Sequence, residues 1–242
     1  MSPAPGALCW HVRADPAAVA AALAEDIAAR AERALAERGA YLIVLPGGST
    51  PQPLYAALRG LDTDWHRWQI YFTDERCVPR DDPRRNDAAV RSAWLDFVSL
   101  PPAQVHSMPA ELGAEAGAEA YRRVLLGVGP FDTTLLGLGE DGHTASLFPG
   151  RSWAGEADAP DVLAVHSAPK PPADRVSLGA RRLANARHVA LLATGAAKRS
   201  AAARLHRRDA AIPAAAVVPP HGMDVWLDAD AAAGIRSVLT SG

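Results

Sequence analysis

One loop gathers the residue types of acid–base chemistry. GLGEDGHTASLFPG, residues 137–150, holds a single imidazole, His143, with Asp141 two positions before it. Imidazoles titrate near pH 6.5, so they exchange protons at neutral pH, and a neighbouring carboxylate can fix the ring. The pair reads as a general base, His143, oriented by Asp141; a histidine in a glycine-rich loop also serves as plain surface. In PGGSTP, Gly47 and Gly48 allow close backbone approach, while the Ser49 and Thr50 hydroxyls and the first amides of the next helix form a nest that suits phosphate. The same stretch reads equally as a turn with a hydroxyl cap. Lys198, in TGAAK, opens a helix, where its charge works against the helix dipole and calls for an anionic partner or an exposed stem. Arg175, in ADRVSLG, stands before a further expected helix and has a planar fork suited to the same phosphate. TDER sets Asp74, Glu75 and Arg76 together at a strand end, as a polar pocket or as a surface ion pair worth at most about 1 kcal/mol.

The elements that must position these groups alternate along the chain. Asp15 and Pro16 open a helix whose apolar residues Val19, Leu23, Ile27, Ala31 and Leu35 recur every four positions, and Gly39 ends it. YLIVL then reads as a strand, followed by the Gly-Gly turn and a short helix capped by Ser49 or Thr50. WQIYFTDER, the strand from Thr133 to Gly137, VLAVHSA, HVALLATG and MDVWLD read as further strands. NDAAVRSAWLDFV, AEAGAEAYRRVLLGV, SLGARRLANA and AAKRSAAARLH read as helices. This alternation predicts an α/β fold, a mainly parallel sheet flanked by helices in a modified Rossmann-like arrangement, with the ligand site at the carboxyl ends of the strands. Four of the loops above follow strands and so share one sheet edge. The PGGSTP segment lacks GxGxxG and GxxxxGK[ST], so no nucleotide motif supports its phosphate reading.

Residues 1–242 show no linker and no repeat and are read as one unit, long enough to bury a substantial core. With 25 Lys and Arg against 27 Asp and Glu, the formal net charge is -2, which supplies no clustered positive field for nucleic acid. Cys9 and Cys77 are far apart and form no CxxC, no HExxH occurs, and no metal site or disulfide framework is indicated. The histidines other than His143 read as structural or surface residues. No signal-like start and no long apolar run points to export or to a membrane, and a cytoplasmic protein is expected.

LPGGSTP, YFTDERCVP with the following Asn86, LLGLGEDGHTASLFPG, RVSLGARRLANA and LLATGAAK together resemble the 6-phosphogluconolactonase family, within a larger group that includes glucosamine-6-phosphate deaminases. The resemblance runs from about Tyr41 to the last strand. It implies a cofactor-free, metal-free hydrolase that opens a sugar-phosphate lactone, with no nucleic acid or membrane partner; monomer and small homo-oligomer both stay open. It further implies that His143 deprotonates the attacking water, that Asp74 and Arg76 organise the pocket, and that Ser49, Thr50, Arg175 and Lys198, with the Gly47–Gly48 backbone, hold the phosphate. Backbone amides around residues 139–142, or a nearby cation, are the candidates for stabilising the oxyanion. Two alternatives remain. A deaminase or isomerase needs a further carboxylate, which that relative carries five positions after the loop histidine, where this chain has Phe148. A non-catalytic sugar-phosphate binder of the regulator type would need a DNA-binding module, and only one Ala-rich helix precedes Tyr41.

Overall fold

The computed structural model describes residues 6–235. In chain order the elements are β1 (Leu8–Arg13), α1 (Pro16–Arg38), β2 (Tyr41–Leu45), α2 (Gln52–Leu58), β3 (Trp68–Phe72), β4 (Asp74–Arg76), α3 (Asn86–Ala93), α4 (Ala114–Val124) and β5 (Phe131–Gly137). They continue with β6 (Val162–Val165), β7 (Arg175–Leu178), α5 (Ala180–Ala184), β8 (Ala186–Ala193), α6 (Arg199–His206), α7 (Pro213–Ala216) and β9 (Met223–Asp228).

Six strands form one all-parallel sheet in the order β1-β9-β8-β5-β2-β3. Its central strands are buried on both faces, which is why YLIVL, FDTTLLG and ARHVALLA read as apolar runs rather than alternating ones. α1 behaves as its sequence dictates. The Asp15 carboxylate accepts the Ala18 N–H at 2.8 Å, Pro16 sits in the first turn, and the helix stops at Gly39. Val19, Leu23 and Ile27 on its inner face are fully buried, each contributing up to about 1.5–3 kcal/mol of apolar transfer energy.

The chain leaves β2 for β3 on one side and later returns through β5 on the other. β2 therefore has a sheet neighbour on each side, and a crevice opens where their two carboxyl-end loops diverge. That switch point receives PGGST from β2 and GLGEDGH from β5.

Three departures from the sequence reading have physical causes. WQIYFTDER is two strands, not one: Thr73 donates its N–H to the Leu45 carbonyl at 2.9 Å and accepts the Leu178 N–H at 2.8 Å, and past this joint the chain enters another sheet. That second sheet is antiparallel, β4-β7-β6, and is not separately expected beside the mainly parallel one. RVSL is its middle strand, and the helix expected over SLGARRLANA shrinks to the single short α5. Finally, LCWHVR, unread as a strand, adds β1 to the edge of the large sheet beside β9. Its mixed burial carries no clean period.

Candidate functional site

A cavity of about 320 Å³, within the usual range for small-molecule sites, opens at the switch point. Its wall includes Gly47, Gly48, Ser49, Thr50, Asp74, Arg76, His143, Arg175 and Lys198. Every site residue expected from the sequence lies on this wall except Asp141, which stands behind it and acts on His143.

The β5 loop fixes the imidazole. The Gly139 N–H donates to the His143 carbonyl at 2.7 Å and the Gly142 N–H donates to the Gly139 carbonyl at 3.0 Å, which closes the loop on itself. These two amides are therefore spent, and as oxyanion donors they are ruled out by the loop's own closure. The Asp141 carboxylate takes the His143 Nδ1 position and also accepts the His143 backbone N–H at 3.3 Å. Burial raises the Asp141 carboxyl, but the hydrogen bond and charge of His143 outweigh it and hold the group below its ordinary value. With Nδ1 engaged, Nε2 is the nitrogen left free to accept a proton. The His143 ring packs against buried Phe148, with centroids 5.1 Å apart. Gly139 makes this placement possible: a Cβ there would lie 1.9 Å from His143 Nδ1.

The β2 loop supplies the two hydroxyls that the sequence offers either to a phosphate or to a helix cap. α2 begins at Gln52 with no side-chain cap, so neither Ser49 nor Thr50 is used in that way. Among the described residues neither hydroxyl has a hydrogen-bond partner, and both border the cavity. The loop is held by the Tyr55 hydroxyl, which donates to the Pro46 carbonyl at 2.5 Å. A Cβ on Gly47 would fall 1.9 Å from Asn86 Oδ1, so only glycine lets this loop lie against α3. Gly47→Ala is expected to lose about 1–3 kcal/mol through this overpacking, read by urea unfolding; unchanged stability would show that Asn86 moves aside freely.

Asn86 is a wall residue that the sequence reading quoted but did not assign. Its position follows from Glu75, fully buried, whose carboxylate accepts the N–H groups of Arg76, Asn86 and Asp87 at 2.7, 2.8 and 2.9 Å. Burial pushes the Glu75 carboxyl up, to about 7, against the opposing pull of these bonds. Asn86 Nδ2 donates to the Asp74 carbonyl at 2.9 Å. Asp74 accepts from Thr73 Oγ1 at 3.0 Å and Ser146 Oγ at 2.6 Å, so its carboxylate joins β4, α3 and the histidine loop. TDER is thus not a surface ion pair: from the end of β3 it enters the edge strand of the small sheet, and Asp74 and Arg76 border the cavity.

The cations arrive from three directions. Antiparallel pairing sets Arg76 directly opposite Arg175, an arrangement of like charges that costs energy unless an anion lies nearby. Asp74 meets part of that need, with Oδ2 at 3.9 Å from Arg175 Nη1. Arg175 is buried, opens β7 rather than preceding a helix directly, and donates to the Pro172 and Lys170 carbonyls at 3.2 and 2.9 Å. Arg76 Nε is buried without a partner. Lys198 ends a single 3-10 turn, Ala196–Lys198, before α6, and the turn is tied down by Asp228, which accepts the Gly195 N–H. Its ammonium has no hydrogen bond or ion pair among the described residues. Desolvation lowers the Lys198 pKa, against a smaller opposing pull from Glu140. Lys170 and Thr144 also border the cavity, Thr144 with a buried, unpartnered hydroxyl; neither carries a sequence signal of its own.

Fold and cavity together define a class: parallel α/β proteins whose switch-point pocket combines free hydroxyls and cations with a carboxylate-held imidazole. Within that class, the chain belongs to the family of glucosamine-6-phosphate isomerases and 6-phosphogluconolactonase, whose model matches residues 14–226. It is 38% identical over 244 residues to 6-phosphogluconolactonase from Mycobacterium leprae, covering 93% of this chain and 97% of that one. It is 39% identical over 210 residues to the Streptomyces coelicolor 6-phosphogluconolactonase, covering 79% and 80%. Among solved structures, 6-phosphogluconolactonase from Thermotoga maritima superposes with a TM-score of 0.83 at 27% identity, covering 91% of this chain and 99% of that one. The Trypanosoma brucei enzyme gives 0.81 at 28%, covering 97% and 100%. A monomeric glucosamine-6-phosphate deaminase shares the fold, with a TM-score of 0.78 at 19% identity.

Proposed function

We propose that the protein is a 6-phosphogluconolactonase, which hydrolyses 6-phospho-D-glucono-1,5-lactone to 6-phosphogluconate in the oxidative branch of the pentose phosphate pathway. The observation that carries this reading is a single cavity bordered by both a carboxylate-held imidazole and an unpaired, half-buried ammonium. The similarity to enzymes named 6-phosphogluconolactonase over nearly the whole chain supports it.

In the proposed mechanism His143 Nε2 takes a proton from water, and the resulting hydroxide adds to the lactone carbonyl. The tetrahedral intermediate then expels the ring oxygen, which recovers the proton from His143. Asp141 fixes the tautomer and stabilises the charged ring. Ser49, Thr50, the Gly47–Gly48 backbone, Arg175 and Lys198 hold the phosphate, while Asp74 and Arg76 organise the wall between. With the Gly139 and Gly142 amides engaged, the oxyanion is left to the other amides of residues 139–142 or to a cation of the wall.

Phe148 argues against the isomerising relative: it presents a buried hydrocarbon face to His143 where that chemistry needs a carboxylate. We place the protein in the cytoplasm as one catalytic unit; among the described residues no helix is long and apolar enough to cross a membrane. The test is a coupled assay in which freshly made lactone is opened and 6-phosphogluconate dehydrogenase reports the product, corrected for spontaneous opening, beside an ammonia assay on glucosamine 6-phosphate. Accelerated opening with no ammonia is expected. No acceleration would leave a binder, and ammonia release a deaminase.

Lys198→Ala is expected to raise KM roughly tenfold with little change in kcat, since a charge-assisted phosphate bond kept throughout the reaction is uniform binding. The same residue predicts a pH effect. Its lowered pKa means that the positive charge disappears as pH rises through a value below about 10.4, the ordinary lysine figure. Affinity for 6-phosphogluconate, followed by calorimetry, should therefore weaken at alkaline pH in the wild type and stay flat in Lys198→Arg. Parallel declines would remove Lys198 from the phosphate site.

A further inference from the structure

At the opposite end of the large sheet from the cavity, a second cluster of reactive side chains has no part in the chemistry above. β1 and β9 run parallel, with Cys9 opposite Asp224 and His11 opposite Trp226. Side chains alternate along a strand, so Cys9 and His11, two positions apart, share a face with Asp224. A ligand atom from each of these three lies within 4.8 Å of the other two. Cys9 is exposed, and His11 and Asp224 are half-buried, so the group opens to solvent. None of the three borders the catalytic cavity.

The carboxylate divides its two oxygens between tasks. Oδ1 faces His11 Nε2 at 2.9 Å, while Oδ2 accepts from His188 Nε2 at 2.7 Å and from Arg30 Nη2 at 3.3 Å. Such outer partners orient a ligating carboxylate. Arg30 brings a positive charge towards the cluster, but it is shared with Asp26 at 2.7 Å, which leaves a thiolate and Asp224 to balance a dication. The His11 ring is itself held, stacked on Trp226 with centroids 4.2 Å apart.

We propose that Cys9, His11 and Asp224 form a binding site for a borderline divalent transition metal, Zn²⁺ by preference, with water in the fourth position. Sulfur, nitrogen and oxygen together are a zinc-type donor set, and the thiolate disfavours Mg²⁺ and Ca²⁺. Zinc bonds of about 2.0–2.3 Å in a tetrahedron place ligand atoms roughly 3.3–3.6 Å apart, so side-chain rotation of about an ångström completes the set. On binding, the thiol gives up its proton to solvent and His11 carries its proton on Nδ1, leaving Nε2 for the metal. The ion then clamps the edge strand β1, which among the described residues has β9 as its only sheet partner, to the body of the sheet. No consecutive spacing announces the site because its ligands come from both ends of the chain; His11 and Asp224 are 213 positions apart.

The test is Co²⁺ and Zn²⁺ titration of the full-length protein. The expected result is one equivalent of Co²⁺ giving a thiolate-to-metal charge-transfer band with visible bands of a tetrahedral site, retained in Cys77→Ser and His143→Ala and lost in Cys9→Ser. Zn²⁺ affinity should fall at least tenfold in His11→Gln, and Zn²⁺ should raise Tm in the wild type but not in Cys9→Ser, whose lactone turnover stays unchanged. Absence of a stoichiometric band, or a band that survives in Cys9→Ser, overturns the proposal; a band lost only in His143→Ala assigns the metal to the catalytic pair instead.

Discussion

His143→Ala is expected to lower kcat by about 10²–10⁴-fold, the usual worth of a positioned general base, while leaving affinity for 6-phosphogluconate within about twofold. In the proposed mechanism the ring moves a proton and carries none of the phosphate, which that mechanism assigns to Ser49, Thr50, Arg175 and Lys198. A mutant with near-normal turnover would require another base. Among the described residues the wall offers a poor substitute in Asp74, because its carboxylate already accepts from Thr73 and Ser146. A mutant with normal kcat but weakened product binding would instead turn His143 into an anchoring group.

Gly139→Ala tests the same chemistry without removing the base. The added Cβ would sit 1.9 Å from Nδ1 and 2.1 Å from Cε1 of His143, far inside contact distance, so the ring or the loop must move. The loop has little slack, since the Gly139 N–H is bonded to the His143 carbonyl. The ring is therefore expected to leave Asp141, and displacement by about an ångström costs on the order of 10²-fold in rate. Most of the loss should fall in kcat, with KM nearly constant, because the β2 loop and Lys198 lie on other elements. Unfolding midpoints for mutant and wild type separate this outcome from general destabilisation. Full activity in a stably folded Gly139→Ala would mean that the Asp141–His143 contact is dispensable.

How much of this was legible in the sequence depended on how local each determinant is. The strand-loop-helix order, the cap at Asp15 and the apolar stripe of α1 depend on near neighbours, and the structure has them where the periodicity puts them. That the loops after β2, β5 and β8 would meet at one cavity was legible for a topological reason: strands of a parallel sheet share one carboxyl edge, so these loops had to converge. The small antiparallel sheet was not legible, because RVSL is apolar enough for either a strand or a helix start. What decides it is pairing with Asp74–Arg76, about a hundred residues away in sequence. Asn86 owes its place to buried Glu75 accepting three backbone N–H groups, and no spacing rule encodes that bond. The expected Ser49 or Thr50 cap failed for the opposite reason: capping chemistry was available, but the turn ends at Pro51 and the hydroxyls remain free for the cavity.

A crystal structure with 6-phosphogluconate bound tests the central claim most directly, because the claim is about which end of one molecule meets which side chains. The phosphate should lie among Ser49, Thr50, Arg175 and Lys198, with the C1 carboxylate within hydrogen-bonding reach of His143 Nε2. A phosphate seated on His143, or a sugar acid bound outside the cavity between the β2 and β5 loops, would contradict the account.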